Sequence, residues 1–456
     1  MTQALPDVDL ASLPPVPVNP MPYLRRVKAT RACHTGFEAL RDAGGPVTQC
    51  VLGPAWLAPP IVLVMSPQGV HDVLGRTDGA TDKALPMYDE IDRLLGSNVF
   101  SLNMDGWLPR RRALQPLFTK RNVAQFAGHM AEAAGLMAER WTDGTQIDLD
   151  AACHALTLRA LGRSVFGRDL DERADAVGPA VRVTLKYCAD RAWSPVRAPS
   201  WLPTPARKRA RAASATVHGL AAQILADCRA DDSVNAPLVH ALIKATDPDT
   251  GKPLSDSQIC NDLVVFILAG HDTTATTLTY AFWALGHHPE IQERVAAEAA
   301  ALGNRPLTTD DVKDLPYTVQ VLHEALRLCP PGAANPRMVM SDIAIDGYRV
   351  PAGTIAVVGV YAMQRDPALW ANPTTFDPDR FSPENSQNRD RWQYVPFGAG
   401  PRSCIGNHFA MLEATLALAT IVRRTEIRSL SDDFPVEVPF TMVADGPIRA
   451  HVRPRS

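Results

Sequence analysis

Between Ser255 and Leu285 the sequence runs for about thirty residues without a proline, and its centre, Leu263 to Ala269, is unbroken apolar. As an α-helix, thirty residues would span roughly 45 Å, enough to cross a whole domain. A helix that is apolar all round must be covered on every side. Ser255 or Asp256 can cap its start, and Pro289 lies just past its end. Its apolar centre falls far short of the ~20 residues needed to span a bilayer. The chain is therefore expected to wrap other helices around this one.

The rest of the pattern agrees. From about residue 70 to 300, Ala, Leu, Glu and Arg recur at helical spacing, with breaks expected at Pro86, at Gly106 to Pro109 and across Trp201 to Pro205. Ile61 to Met65 is a short β-branched run that reads as a strand. After Pro330 short strands are expected between Val339 and Val360, around Asp346-Gly347 and Ala352-Gly353. Residues 364–400 read as a long ordered loop, followed by a helix from Ile405 to Arg423. Residues 1–22 are proline-rich and read as an extended arm. The expectation is one mainly α domain with small β-sheets over residues 23–456.

Composition excludes several roles. A net charge of −3 argues against a nucleic-acid partner. The eight cysteines form no CxxC pair and read as reduced thiols of a cytoplasmic protein. The N-terminus has no basic region followed by an apolar one, so neither a signal peptide nor a membrane anchor is expected.

The segment with the most chemistry is Phe397-Gly398-Ala399-Gly400-Pro401-Arg402-Ser403-Cys404-Ile405-Gly406. Its glycines let the backbone turn tightly and approach a flat ligand. Cys404 would sit at the start of an apolar helix, where the macrodipole favours thiolate over thiol. A thiolate is a strong electron-donating axial ligand for haem iron. A structural glycine loop with a buried cysteine is the competing reading. A phosphate cradle is excluded, because no Gly-Lys-Ser/Thr follows.

At Phe397, Gly398, Gly400, Arg402, Cys404 and Gly406 the segment resembles the cysteine loop of the cytochrome P450 family. The resemblance implies that fold, with haem b (iron protoporphyrin IX) between the long central helix and the cysteine-loop helix. Cys404 would be the iron ligand, and Arg402 would meet a propionate. Glu324-Ala325-Leu326-Arg327 matches the family's ExxR pair, with Arg380 in Phe376-Asp377-Pro378-Asp379-Arg380-Phe381 as third member of a core lock. ExxR also occurs at Glu38 to Arg41 and Glu90 to Arg93, where exposed helix pairs are expected.

Ala269-Gly270-His271-Asp272-Thr273-Thr274 is poor helix chemistry inside the apolar helix, which suggests function. It resembles the family's acid–alcohol motif, in which Asp272 and Thr273 would pass protons to dioxygen. Gly270 would let a flat ligand approach, and His271 reads as a packed helix residue. The alternative is a Thr273 that bonds back to its own helix, with Asp272 in a salt bridge. Trp107 and Arg111 resemble the Trp-x-x-x-Arg pair that reaches haem propionates, and Arg337 resembles another propionate-binding arginine.

By the same resemblance, substrate contacts come from Leu85 to Phe100, Leu263 to Phe266, Gly332 to Asn335 and Phe440 to Val443. Asp89, Glu90, Asp92 and Arg93 are placed toward solvent. The largely apolar set favours a lipophilic small molecule, terpenoid, steroid-like or acyl. No flavin or ferredoxin segment is present, so electrons would come from a separate ferredoxin and ferredoxin reductase. Arg110, Arg112, Lys120 and Arg121 are candidates for the donor's docking patch, or a solvated helix face. Arg207, Lys208, Arg209 and Arg211 read as a solvated helix start. The implied activity is insertion of one oxygen atom from O2. A ring-coupling or peroxide-driven enzyme of the same fold, or a haem-thiolate sensor, is the alternative. The acid–alcohol pair argues against the peroxide route and the sensor.

Overall fold

The computed structural model describes residues 9–54, 59–141, 144–170, 173–193, 198–199, 201–246 and 251–455. The chain forms two compact units, one from residues 1–85, 332–374 and 389–404, the other from 86–331, 375–388 and 405–456.

The first unit is built on a five-stranded sheet ordered Val47–Cys50, Ile61–Val64, Ile355–Val358, Asn335–Val339, Thr81–Asp82. Ile61–Val64 and Ile355–Val358 form its parallel pair. All four residues of Ile61–Val64 are buried, as their uninterrupted apolar run requires. The strand ending at Val339 begins at Asn335, four residues earlier than the β-branched pattern suggests. Ile343–Ile345 and Tyr348–Val350 form a hairpin whose turn residues Asp346 and Gly347 have φ of 49° and 79°, the positive pair that suits strand twist. Pro15 bridges Arg349 and Val18 bridges Gln49, which ties the arm to two strands. Residues 1–8 of the arm lie outside the described residues.

The second unit is organised by the long helix, Asp256–His287. Ser255 caps it and Gln258 completes a capping box. Helix Leu149–Leu161 packs along it, as do Pro205–Ala230, Pro316–Leu328 and Asn407–Arg424. A three-stranded sheet, Thr145–Asp148, Arg449–Pro454, Thr425–Ser429, completes the unit. Among the described residues no helix is long and apolar enough to cross a membrane.

Several expectations need correction. Gly106 to Pro109 is no break: helix Met104–Leu114 runs through it, with Asn103 as cap and Pro109 in its interior. The helix after the cysteine loop begins at Asn407, so Cys404 precedes its first turn. The loop 364–400 holds two short helical turns, Pro378–Phe381 and Pro383–Ser386.

Charged side chains expected in solvent are also buried. Glu90 is only 3 % exposed and binds Arg191 of helix Ala174–Trp193 at 2.9 Å, as well as Arg93 at 2.8 Å. Asp92 is half-buried and accepts from Ser101. Arg110 is buried and pairs with Asp262 of the long helix at 3.1 Å, so it cannot belong to a surface patch. Burial pushes the Asp262 carboxyl up to about 6 despite the Arg110 guanidinium. Arg207 is buried and donates to Tyr187 and to the carbonyls of Ala198, Pro199 and Leu202. Arg41 is buried with its guanidinium on the Ala362 carbonyl, and Glu38 is half-buried.

Candidate active site

The cysteine loop lies in the first unit. Gly398 and Gly400 both have left-handed φ, 66° and 67°. A Cβ on Gly400 would lie 1.8 Å from the Leu74 carbonyl oxygen, so this glycine serves packing on helix Pro67–Leu74. Gly398 has nothing closer than 3.8 Å on that side. The Cys404 N–H donates to the Phe397 carbonyl at 2.8 Å and closes the loop. Cys404 is exposed, whereas the other seven cysteines are buried or half-buried. The reading of a buried structural cysteine therefore fails.

The same unit gathers three cations. Arg402 binds Asp82 at 3.0 Å, and its side chain is 5 % exposed. Arg337 and Lys83 are also buried. Burial drives the Lys83 ammonium well below its ordinary range, and Arg337 and Arg402 push the same way against Asp82. Two arginines and a lysine buried with one carboxylate suit an anionic ligand, whose charge would also favour the protonated Lys83. Lys83 is missing from the sequence reading, because nothing local distinguishes it from a surface lysine.

In the second unit the long helix is buried from Asp262 to Leu268, then exposed at Ala269 and half-exposed at Thr273, one turn on. Asp272 is 3 % exposed and held from two sides. His154 Nε2 lies 3.0 Å from its Oδ1, and the Thr441 hydroxyl donates to its Oδ2 at 2.9 Å. Burial would raise the Asp272 carboxyl, but His154, His271 and Thr441 outweigh it and lower it. The Thr273 hydroxyl donates back to the Ala269 carbonyl at 2.8 Å, which leaves its oxygen lone pairs for another donor. A Cβ on Gly270 would meet Leu161 at 2.8 Å. The missing side chain of Gly270 therefore makes room for Leu161 of helix Leu149–Leu161.

His271 is buried, as expected, with its ring edge-on to His154 at 4.8 Å. Burial, helped by His154, pushes its imidazole down to about 3. His154 itself escapes the sequence reading: a lone histidine on an apolar helix carries no local sign of its partner.

Glu324 and Arg327 are both fully buried and joined by two hydrogen bonds of 2.7 Å. Arg380 approaches Glu324 at 3.3 Å, so the three residues do meet. Trp107 is buried, and Arg111 lies 5.9 Å over its ring while donating to Gln115. Of the segments expected to contact substrate, Leu85 to Phe100 and Phe440 to Val443 meet through Phe100 and Phe440, ring centroids 5.9 Å apart. Phe266 stacks on Phe118.

An exposed cysteine on a glycine-turned loop and a buried basic cluster in one unit, and Asp272 and Thr273 on the long helix of the other, are residues of the kinds expected of a haem-thiolate oxidoreductase. Known proteins bear on the class directly. The profile described as Cytochrome P450 matches residues 14–448. Cyclooctat-9-en-7-ol 5-monooxygenase of Streptomyces melanosporofaciens is 31 % identical over 86 % of this chain and 84 % of its own. Cyclooctatin synthase of the same organism is 32 % identical over 92 % and 91 %. The crystal structure of the cytochrome P450DA heme domain superposes with a TM-score of 0.83 at 26 % identity, covering 97 % and 98 %. The chain belongs to the cytochrome P450 family and is a cytochrome P450 monooxygenase.

Proposed function

We propose that this chain inserts one oxygen atom from O2 into a cyclic terpenoid-type lipophile, with electrons from a ferredoxin and its reductase. The residues fit a haem: the exposed Cys404 would hold the iron, and Arg402, Arg337 and Lys83 would take propionates. Trp107 and Arg111 would be further propionate donors, and the exposed Ala269 would be a contact for the same group. When bound, the haem supplies the redox chemistry of oxygen activation.

The carrying observation is the opening at Ala269 and Thr273, next to the stretch Asp262 to Leu268 that is buried throughout, with the carboxylate of the neighbouring Asp272 held by His154. Thr273 Oγ1, which keeps acceptor capacity beyond its bond to Ala269, would accept a hydrogen bond in the site, and Asp272 would be the acid that delivers a proton there. Positioned proton transfer is typically worth about 10²–10⁴-fold in rate. Thr273→Ala should therefore keep the thiolate spectrum and substrate binding while product yield per electron falls and hydrogen peroxide rises. Wild-type coupling in that variant would reduce Thr273 to a residue that only bonds back to Ala269.

The substrate class is supported by the name of one relative, which carries an alkenol, and by the contact of the Phe100 and Phe440 rings. A spectral titration tests it. Cyclooctat-9-en-7-ol and other cyclic terpenoids should shift the ferric haem toward high spin. A shift with linear fatty acids alone would refute the class.

A further inference from the structure

His154 lies on helix Leu149–Leu161 with both ring nitrogens engaged. Nδ1 is 3.0 Å from the Asp150 backbone oxygen, which can only accept. Nδ1 therefore carries a hydrogen. Nε2 is 3.0 Å from Asp272 Oδ1, and this contact also needs exactly one proton. Either the proton sits on Nε2 and faces a carboxylate, or it sits on Asp272 and faces a neutral ring. Thr441 holds the other carboxylate oxygen, so Asp272 rests with Oδ1 on this shared proton.

We infer that His154 is the positioning residue and proton store of Asp272, holding the carboxylate through one shared proton and yielding that proton to it during turnover. The inference rests on the reading of Asp272 as the acid of the site. In the step the Nε2–H bond breaks and an O–H bond forms on Asp272. An imidazolium–carboxylate pair becomes a neutral imidazole and a carboxylic acid. Asp272 then gives the proton onward, and the imidazole regains one from bulk water. Solvent is near: the Arg182 side chain is 42 % exposed, reaches within 3.4 Å of Nε2 and binds Asp150 at 3.0 Å.

The groups facing His154 come from three helices. Asp150 is on its own helix, with Asp148 just before it; His271 and Asp272 are on the long helix; Arg182 is on Ala174–Trp193. Burial and Arg182 disfavour the charged ring. Asp272 and Asp150 outweigh them, so the imidazole titrates above its ordinary value. The sign follows: the ring is charged below that raised value and loses its stored proton as pH rises through it. His271, kept neutral beside it, does not compete for the proton.

The test uses the holoenzyme with NADPH, ferredoxin reductase and ferredoxin, reading oxygen uptake against pH, together with ¹⁵N NMR of His154 in the reduced carbon monoxide form. His154→Gln keeps an N–H donor for Asp272 but holds no titratable proton. It should leave the thiolate spectrum intact, slow uptake by roughly 10–100-fold and remove the pH limb assigned to His154. In wild type the ring should titrate above the ordinary histidine value, and Asp272→Asn should move it down. A ring neutral throughout about pH 5 to 8 would overturn the inference. So would a wild-type pH profile in His154→Gln while Asp272→Asn is slow, a result that spares the reading of Asp272. An inert Asp272→Asn would remove both. Should His154→Gln fold poorly, the wild-type and Asp272→Asn titrations still decide.

Discussion

Glu324→Ala should yield protein that folds poorly and purifies with little haem. Glu324 and Arg327 have no exposed side-chain surface, and their ion pair is bidentate. The same carboxylate accepts the Asp377 N–H at 2.9 Å and is approached by Arg380 at 3.3 Å. Arg327 also donates to the Thr375 carbonyl at 3.2 Å, so the helix Pro316–Leu328 is tied to the segment 375–380 through this one group. Removing the carboxylate leaves two guanidinium groups close together in a buried place. Breaking a buried pair by deleting one partner typically costs about 3–5 kcal/mol, a large share of a stability of roughly 5–15 kcal/mol. The measurement is the urea midpoint together with haem content after purification.

Glu38→Ala is the matched control, because it alters the same tetrapeptide. Its small expected effect has a different ground from exposure. Burial raises the Glu38 carboxyl against the pull of Arg365 and Arg41, so its site does not favour the charge. Arg41 meanwhile is secured by Ala362 and Asp42. Glu38→Ala should therefore keep its haem. Glu90→Ala is no such control, because Glu90 is buried between Arg93 and Arg191. Equal haem loss in Glu324→Ala and Glu38→Ala would refute the core lock.

The residues that the sequence made legible share one property: their signal is local. The long helix announces itself through a cap candidate at Ser255 and an unbroken apolar centre, Cys404 through five fixed neighbours, and the Asp346-Gly347 turn through residues that accept positive φ. What the sequence hid depends on partners far along the chain. Arg110 looks like a member of a solvated patch with Arg112, Lys120 and Arg121 until Asp262, 152 positions away, is brought beside it. Glu90 finds Arg191 across 101 positions, and Asp272 finds His154 across 118. Helical periodicity separates apolar from polar faces, but it cannot show which charges will be buried against one another. Gly270 was legible as unusual, but only packing reveals that its missing side chain makes room for Leu161.

The central claim is that Cys404 supplies the thiolate that holds the haem. It is the exposed cysteine of the eight, on a loop fixed by the Cys404 to Phe397 hydrogen bond. The alternatives are poor ligands where they stand: burial pushes the thiols of Cys33 and Cys50 up to about 11 and that of Cys188 up to about 12. Burial raises Cys153, Cys228 and Cys260 as well. A thiol that resists ionisation cannot serve as a thiolate ligand without first paying that desolvation. The deciding measurement is the absorption spectrum of the reduced protein under carbon monoxide. Wild type should show the red-shifted Soret band of a thiolate-ligated haem, and so should single replacements of the other seven cysteines. Cys404→Ser should lose it; a normal thiolate band in Cys404→Ser would contradict the account.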